Sequence, residues 1–193
     1  MGFHFVISQA QHWVKERIGA GDIAVDATAG NGSDTLFLAG LLGAKGTVYV
    51  FDIQAEALAQ TQTRLQATAS KPDQLANVNL LLAGHEHMAS HIAAEHHGQI
   101  AAIMFNLGFL PGAASTIITQ TSTTLAALEA ALLLLRSGGI LTVVVYPGHE
   151  GGQAEAAAVE SWASNVPPSL AQAIVYRFPQ KAAAPYLIGL IKK

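Results

Sequence analysis

The chain contains no cysteine among its 193 residues. Disulfide bridges and thiolate metal sites are therefore excluded, and the composition is compatible with a reducing compartment. Charged residues are also scarce, at 12% of the chain, whereas hydrophobic residues make up 51%. Because disordered chains show the opposite balance, we expect a single folded domain over residues 1–193 with a sizeable core.

Long hydrophobic runs are absent as well. The most apolar segment, LAALEAALLLLRSGGILTVVVY, is interrupted by Glu129, Arg136 and two glycines, and no run reaches the roughly 18 residues of a membrane span. The segment MGFHFVISQAQHWVKERIG lacks the basic start, apolar block and cleavage site of a signal peptide. We therefore expect a cytoplasmic protein that has no membrane partner.

Basic residues are few too, with 10 Lys and Arg against 13 Asp and Glu and a net charge of -3. This balance argues against a protein that coats nucleic acid through bulk positive charge. It leaves room for a small, local RNA-binding face.

What the chain does contain is a regular alternation of two kinds of segment. Runs rich in β-branched residues predict strands over 22–28, 46–52, 77–84, 99–106, 139–146, 171–178 and 185–193. Ala- and Leu-rich segments predict helices over 33–43, 54–69, 122–136 and 152–165, and a His-rich helix near 86–97. This alternation predicts a parallel sheet with helices on both faces. Only PQKAAA separates the last two strands, so we expect them to form an antiparallel hairpin.

The segment VDATAGNGSDT joins the first strand to the first of these helices. Such a turn presents backbone N–H groups and the positive end of a helix dipole to a ligand. Gly30 and Gly32 permit positive φ angles and a close backbone approach. The dinucleotide fingerprint requires a third small residue, but Thr35 occupies that position. Asp26 and Asp34 would also repel a pyrophosphate.

Two acids suit a cationic amino-acid ligand better than a phosphate. S-adenosylmethionine carries an ammonium, which acids accept, and a carboxylate, which the N–H groups of the turn accept. Asp52 ends the second strand, where a carboxylate binds the two ribose hydroxyls of adenosine cofactors; the alternative is a solvated strand end. His85 and Glu86 follow the third strand and are expected to flank the adenine.

The carboxyl ends of the fourth and fifth strands carry the catalytic candidates. If the strand order is 3-2-1-4-5-7-6, Asn106 lies at the tip of strand four beside the ligand of strand one, because ligands bind at this edge near the switch point. Its amide oxygen can accept a hydrogen bond from an amine, although a loop cap is the alternative. Tyr146 and His149 are expected to face the same cleft, with a simple turn residue as the alternative for His149.

A cluster of histidines accompanies the third strand in GHEHMASHIAAEHHG. His87 and His91 are four residues apart, as metal ligands on one helix face are. HMASH lacks the catalytic acid of a zinc signature, so we predict a surface helix and no metal site.

The motifs VDATAGNGSDTLFLA, FNLGFLPG and YPGHEGG resemble the small S-adenosylmethionine (SAM)-dependent methyltransferases of the YtqB/MnmM type, also described as rRNA methylases. The resemblance implies a Rossmann-like class I fold, with a seven-stranded, mostly parallel sheet in the order 3-2-1-4-5-7-6 and one antiparallel strand. It also implies a homodimer, and methylation of the primary amine of 5-aminomethyl-2-thiouridine at the tRNA wobble position in the anticodon region.

The resemblance further implies which residues hold the cofactor. The methionine part would be held by Asp26, Gly30, Asn31, Gly32, Asp34 and Thr35, and the ribose by Asp52. The remaining cofactor-binding candidates are Ala27, Ile53, His85 and Glu86, while Asn106 and Leu107 would lie by the transferring methyl group. RNA contact would involve Lys15, Arg17, Lys71, Arg136, Arg177, Lys181, Lys192 and Lys193, which form no visible basic stripe.

Other functions stay open at this point. A methyltransferase acting on rRNA or a small molecule has the same cofactor site, since SAM binding does not define the acceptor. A nicotinamide-dependent oxidoreductase predicts a glycine at position 35, and a non-catalytic SAM-binding module would not need Asn106.

Overall fold

The computed structural model describes residues 2–68, 74–108, 119–148, 151–181 and 183–193. Seven strands form one sheet in the order β3-β2-β1-β4-β5-β7-β6. The strands are β1 Ile23–Asp26, β2 Thr47–Asp52, β3 Asn77–Leu82, β4 Ile100–Asn106, β5 Leu135–Val145, β6 Ala171–Tyr176 and β7 Tyr186–Lys192. The helices are α1 Val6–Lys15, α2 Ser33–Leu42, α3 Ala55–Thr68, α4 Met88–His91, α5 Thr121–Leu134 and α6 Gly152–Asn165.

Pairing within the sheet follows the connection lengths. The strands β3, β2, β1, β4 and β5 pair in parallel, whereas β7 is antiparallel to both β5 and β6. The predicted strand order and the closing hairpin are therefore confirmed. Since β1 and β4 are neighbours, the chain reverses its direction of winding between them, and the carboxyl ends of these strands border one cleft.

Alternate residues of the central strands enter two separate cores. In β2, Val48 and Val50 pack with residues of α1 and α2 on one face, while Tyr49 and Phe51 pack with residues of α4, α5 and α6 on the other. This period of two buries both faces of the sheet. Within the described part of the chain, no helix has the length and apolar character that a membrane crossing requires.

The predicted continuous helix near 86–97 is wrong. The segment forms a 3₁₀ turn at His85–His87, the single turn α4 and a second 3₁₀ turn at Ala94–His96. The Ser90 hydroxyl donates to the His87 carbonyl at 2.8 Å, which competes with helix continuation. Ile92 is extended and only 3% exposed, so burial of this side chain also ends the helix.

Helix α1 was not predicted. Its buried residues Val6, Ala10 and Val14 recur every fourth position, a spacing that places them on one helix face. The helix also extends the face that carries α2. The periodic signal was present in the sequence, and α1 proves to border the cleft.

Candidate functional site

A cavity of about 640 Å³ lies at the carboxyl ends of the parallel strands. The ends of β1, β2, β3 and β4 contribute to its wall, together with Tyr146 after β5. The lining residues predicted from the sequence are Ala27, Gly30, Asn31, Asp34, Asp52, Ile53, His85, Glu86, Asn106, Leu107 and Tyr146. Their convergence follows from the strand order, which brings turns that are distant in sequence to one edge.

The turn after β1 depends on both predicted glycines. Gly30 has a φ angle of 52° and Gly32 one of 78°, values that strain a residue carrying a Cβ. A Cβ on Gly32 would also lie 2.7 Å from the Thr61 Cα. Gly32 therefore allows α3 to pack closely against the start of α2, where Ser33 and Asp34 line the cavity.

Asp26 lies beneath this turn and is only 1% exposed. Its carboxylate accepts a hydrogen bond from the Thr35 hydroxyl at 2.6 Å and one from the Thr28 N–H at 3.2 Å. Burial, followed by the negative charge of Asp34, raises the pKa of Asp26 to about 7. Neither Asp26 nor Thr35 is among the described residues that line the cavity, so together they support the turn from below.

Asp34 is the acid of this turn that reaches the cavity. Its Oδ1 accepts a hydrogen bond from the Gln11 Nε2 of α1 at 2.8 Å. Burial raises the pKa of Asp34, and the Gln11 bond opposes that rise. A cationic group in the cavity would stabilise the charged form of this carboxyl, so the site suits an ammonium.

Asp52 connects β2 to the glycine turn. Its Oδ2 accepts the Gly30 N–H at 3.1 Å, and its Oδ1 accepts the Gln54 N–H at 2.9 Å. These two bonds orient the carboxylate at the cavity wall, where each oxygen retains a lone pair for a ligand hydroxyl. Ile53, the next residue, lines the cavity with its side chain 56% exposed. It offers an apolar contact on the same side of the site.

His85 and Glu86 form the wall beyond β3. His85 is buried, its Nδ1 lies 3.3 Å from the Ala27 carbonyl oxygen, and its ring packs edge-on against Phe105. Burial lowers the pKa of His85, so the ring is neutral near pH 7. A carbonyl partner implies that Nδ1 carries the proton. The neutral ring and the Glu86 carboxylate give this end of the cavity the mixed character that an adenine needs.

Asn106 and Tyr146 meet at the tips of β4 and β5. The Asn106 backbone N–H donates to the Thr28 hydroxyl at 2.8 Å, which joins β4 to the glycine turn. Burial and then the charge of Asp34 raise the pKa of Tyr146, while a hydrogen bond with the Asn106 side chain lowers it. The net shift is upward, so Tyr146 keeps its proton at neutral pH and is a donor, not a base. His149 falls outside the described residues.

One buried acid at the site was missed by the sequence reasoning. Glu155 of α6 is 4% exposed and accepts hydrogen bonds from the Thr119 and Thr124 hydroxyls, each at 2.7 Å. The Thr119 hydroxyl in turn accepts the Gly108 N–H at 3.0 Å, and the Thr119 N–H donates to the Gly108 carbonyl at 3.0 Å. Glu155 thereby links α6 to both sides of the cavity wall that follows Asn106. The one feature of the sequence that could have indicated Glu155 is its position on the buried face of α6, where the other residues are small or apolar.

The basic residues proposed for RNA contact are divided between two edges of the sheet: the cavity edge, where the parallel strands have their carboxyl ends, and the opposite edge, where they have their amino ends. Arg136 pairs with Asp22, just before β1, and Lys192 donates to the Leu135 carbonyl at 2.6 Å, where β5 begins. Lys15, Arg17 and Lys193 lie at this same edge, which is opposite the cavity. Arg177 and Lys181 lie at the cavity edge, and Lys71 is outside the described residues.

The residues present fit S-adenosylmethionine. Asp34 suits its ammonium, the N–H groups at the start of α2 suit its carboxylate, and Asp52 suits its ribose hydroxyls. The residues that carry these three groups line one cavity. A dinucleotide pyrophosphate would meet the Asp34 charge at the helix start, so the donor set disfavours it.

Comparison with known proteins agrees with this geometry. The profile of the family described as "Putative rRNA methylase" matches residues 48–192. The curated chloroplastic tRNA (mnm(5)s(2)U34)-methyltransferase of Arabidopsis thaliana is 36% identical, and the match covers 96% of this chain and 69% of that protein.

Solved structures show the same similarity. A protein of Clostridium thermocellum that carries the family's description is 36% identical, with a TM-score of 0.91 and 100% of both chains covered. A methyltransferase-like protein of Streptococcus mutans, solved in complex with SAH, is 31% identical, with a TM-score of 0.86 and 100% of both chains covered. The chain belongs to this rRNA methylase family and is a SAM-dependent methyltransferase.

Proposed function

We propose that this protein methylates the primary amine of 5-aminomethyl-2-thiouridine at the wobble position of tRNA. The observation that carries the proposal is the contact between Asn106 and Tyr146 at the end of the cavity nearest Asp34. That end offers hydrogen-bonding side chains, and the described residues include no group of metal ligands. The Arabidopsis relative, named for methylation at this nucleoside, supports the choice of acceptor.

The cofactor residues act by binding and orientation. Asp34 holds the ammonium, Asp52 the ribose, and Ile53, His85 and Glu86 the adenine, while Ala27, Gly30, Asn31 and Leu107 shape the wall. Asp26, Gly32 and Thr35 keep the turn in place from below. Bound SAM would supply a methyl group on a sulfonium. As the neutral amine forms its bond to that methyl carbon, the carbon–sulfur bond breaks, and the products are the methylated amine, S-adenosylhomocysteine and a proton.

Asn106 and Tyr146 position the amine. A hydrogen bond with the Asn106 side chain lowers the pKa of Tyr146, and in the proposed complex the amide N–H donates to the phenol oxygen. In that arrangement the Asn106 Oδ1 is free to accept an N–H from the acceptor amine and direct its lone pair towards the methyl group. Alignment of this kind, and exclusion of water by the cavity, is what methyl transfer requires of a protein. His149 is a further candidate for contact with the acceptor.

The test uses labelled SAM and two forms of one tRNA, with and without the aminomethyl group on the wobble uridine. We expect transfer to the aminomethylated form only, and nucleoside mass spectrometry should identify the methylaminomethyl product. A ribosomal RNA transcript is included because the family description names rRNA. Methylation of that transcript, or of both tRNA forms equally, would reject the wobble amine as the acceptor.

A further inference from the structure

Two phenylalanines near the start of the chain are the most exposed large hydrophobic residues that the structure describes. Phe3 is 84% exposed and Phe5 is 82% exposed. Phe5 has an extended backbone just before α1, and residues two apart in extended backbone point to the same side. We call these two exposed aromatic side chains together the Phe3–Phe5 surface.

The backbone that carries this surface is held in place. The Tyr176 hydroxyl of β6 donates to the His4 carbonyl at 2.8 Å, and the His4 ring stacks on His12 with centroids 5.5 Å apart. Tyr176 in turn packs edge-on against Trp13. Trp13 lies over Gly189 so closely that a Cβ there would be 2.9 Å from its ring. The exposed rings thus stand on an ordered segment, which lowers the entropy lost on binding.

The Phe3–Phe5 surface comes directly before the part of α1 that reaches the cavity. Ile7, two residues after Phe5, lines the cavity. Gln11, one helical turn further on, donates to Asp34, and the Asp34 charge acts on Tyr146. An acceptor that reaches Asn106 and Tyr146 from this side would pass beside the two phenylalanines.

The charges near the cavity indicate how such an acceptor would be held. The carboxylates that line the cavity are Asp34, Asp52 and Glu86, and no Lys or Arg lines it among the described residues. Arg136 and Lys192 lie at the opposite edge, where each already has a partner. Arg177 and Lys181 do lie at the cavity edge, but Arg177 pairs with Glu160. Few cations are therefore free for phosphate contacts near the cavity mouth, whereas stacking on aromatic rings requires no positive charge.

We infer that the Phe3–Phe5 surface stacks unpaired nucleobases of the substrate RNA, next to the nucleotide whose amine enters the cavity. The inference rests on the proposed function, since it takes the acceptor to be part of an unpaired RNA loop. The aromatic side chains accept any base, so they contribute affinity and placement without reading sequence.

The test measures binding of an RNA hairpin whose unpaired loop carries 2-aminopurine, a base whose fluorescence falls on stacking. We compare the intact protein with the double variants Phe3→Ala/Phe5→Ala, Phe3→Leu/Phe5→Leu and Phe3→Trp/Phe5→Trp. Alanine should weaken binding by roughly 10- to 100-fold and remove the quenching. Tryptophan should restore both and leucine should not, because only an aromatic ring stacks. Affinity for SAH should be unchanged throughout.

Leu133→Ala is the matched control, because Leu133 is 76% exposed and lies near the opposite edge of the sheet. Unchanged RNA affinity in the alanine double variant, or full rescue by leucine, would overturn the inference. Sedimentation compares the oligomeric state of the alanine double variant with that of the intact protein. If the variant loses an oligomer that the intact protein forms, the surface binds a second copy of the chain and the inference is overturned.

The outcome also separates this inference from the proposed function. If the intact protein binds the hairpin through the phenylalanines but does not methylate the wobble amine, the surface stands and the proposed acceptor fails. If it methylates that amine and the phenylalanine variants behave as the intact protein does, the proposed acceptor stands and the surface fails. If the intact protein does not bind RNA, both fail.

Discussion

The Thr35 hydroxyl donates to Oδ2 of Asp26 at 2.6 Å, and this buried hydrogen bond joins the first turn of α2 to the end of β1. The same carboxyl lies close enough to Asp34 for the charge of one to act on the other. Asp34 lines the cavity and Asp26 does not. A charged ligand group bound at Asp34 should therefore change the protonation of Asp26, although Asp26 does not line the cavity.

Binding of S-adenosylhomocysteine should release a proton near pH 6.5. In the protein without ligand the pKa of Asp26 is about 7, so its carboxyl group is mostly protonated at pH 6.5. An ammonium at Asp34 favours the charged forms of both carboxyls and lowers their pKa values. The release should fade towards pH 9, where both carboxyls are already ionised.

Calorimetry in two buffers of different ionisation enthalpy measures this release. Asp26→Asn should abolish most of it, because an amide has no proton to lose in this range. Equal binding enthalpies in the two buffers at pH 6.5, or an unchanged release in Asp26→Asn, would contradict the linkage.

Gly32→Ala should weaken cofactor binding and lower stability. Its φ angle of 78° costs a residue with a Cβ about 1–2 kcal/mol, and the new Cβ would approach the Thr61 Cα to 2.7 Å. If relief of this strain distorts the turn, a comparable free energy is lost from ligand binding. We therefore expect a loss of SAH affinity of roughly tenfold, which corresponds to about 1.4 kcal/mol. Calorimetry and thermal unfolding measure the two effects.

Gly40→Ala is the control, because Gly40 lies in the same helix with nothing within 4 Å of the added Cβ. Alanine there should raise stability by about 0.5–1 kcal/mol and leave SAH affinity unchanged. Similar losses in both variants would mean that any added methyl group harms α2, whatever the turn.

Asn106→Ala should remove methyl transfer with little change in SAH affinity. Its side chain contacts Tyr146, at the tips of β4 and β5 where we propose that the amine is bound. The single-turnover rate should fall by roughly 10²–10⁴-fold, the range for lost positioning or proton handling. Tyr146→Phe should cause a smaller loss if the hydroxyl serves mainly to orient Asn106. Wild-type transfer by Asn106→Ala would reduce Asn106 to a loop cap.

Glu155→Gln should weaken the packing of the cavity wall, although Glu155 is not itself among the described residues that line the cavity. The carboxylate accepts two hydroxyl hydrogen bonds in a buried setting, whereas an amide can accept only at its oxygen. We expect a loss of about 2–4 kcal/mol in unfolding free energy, from two bonds to a charged acceptor. The KM for RNA should rise more than that for SAM, because Thr119 and Thr123 line the side that leads to Asn106.

The control for Glu155 is Glu129→Gln, since Glu129 is exposed and accepts a single bond from Trp162 that glutamine can keep. Urea unfolding and steady-state kinetics should show almost no effect. An equal rise of both KM values in Glu155→Gln would indicate general loss of structure instead of displacement of one wall.

The sequence by itself determined the strand succession, the glycine turn and the acids at the strand ends. Strand positions follow from local periodicity, and the carboxyl ends of parallel strands share one edge whatever the side chains do. Asp34, Asp52 and Asn106 were therefore predictable as neighbours, although they are far apart along the chain. The periodic pattern of Val6, Ala10 and Val14 was equally local, and helix α1 could have been predicted from it.

Only the tertiary structure decided which of these acids face the cavity. Asp26 and Asp34 look alike in the sequence, but packing of α2 places the first beneath the turn with Thr35 and the second at the cavity wall. Glu155 meets Thr124 across 31 residues, and no local pattern encodes that contact. The register of β7 carries Lys192 to the far edge of the sheet. Burial and charge depend on which elements come together, so these assignments required the folded chain.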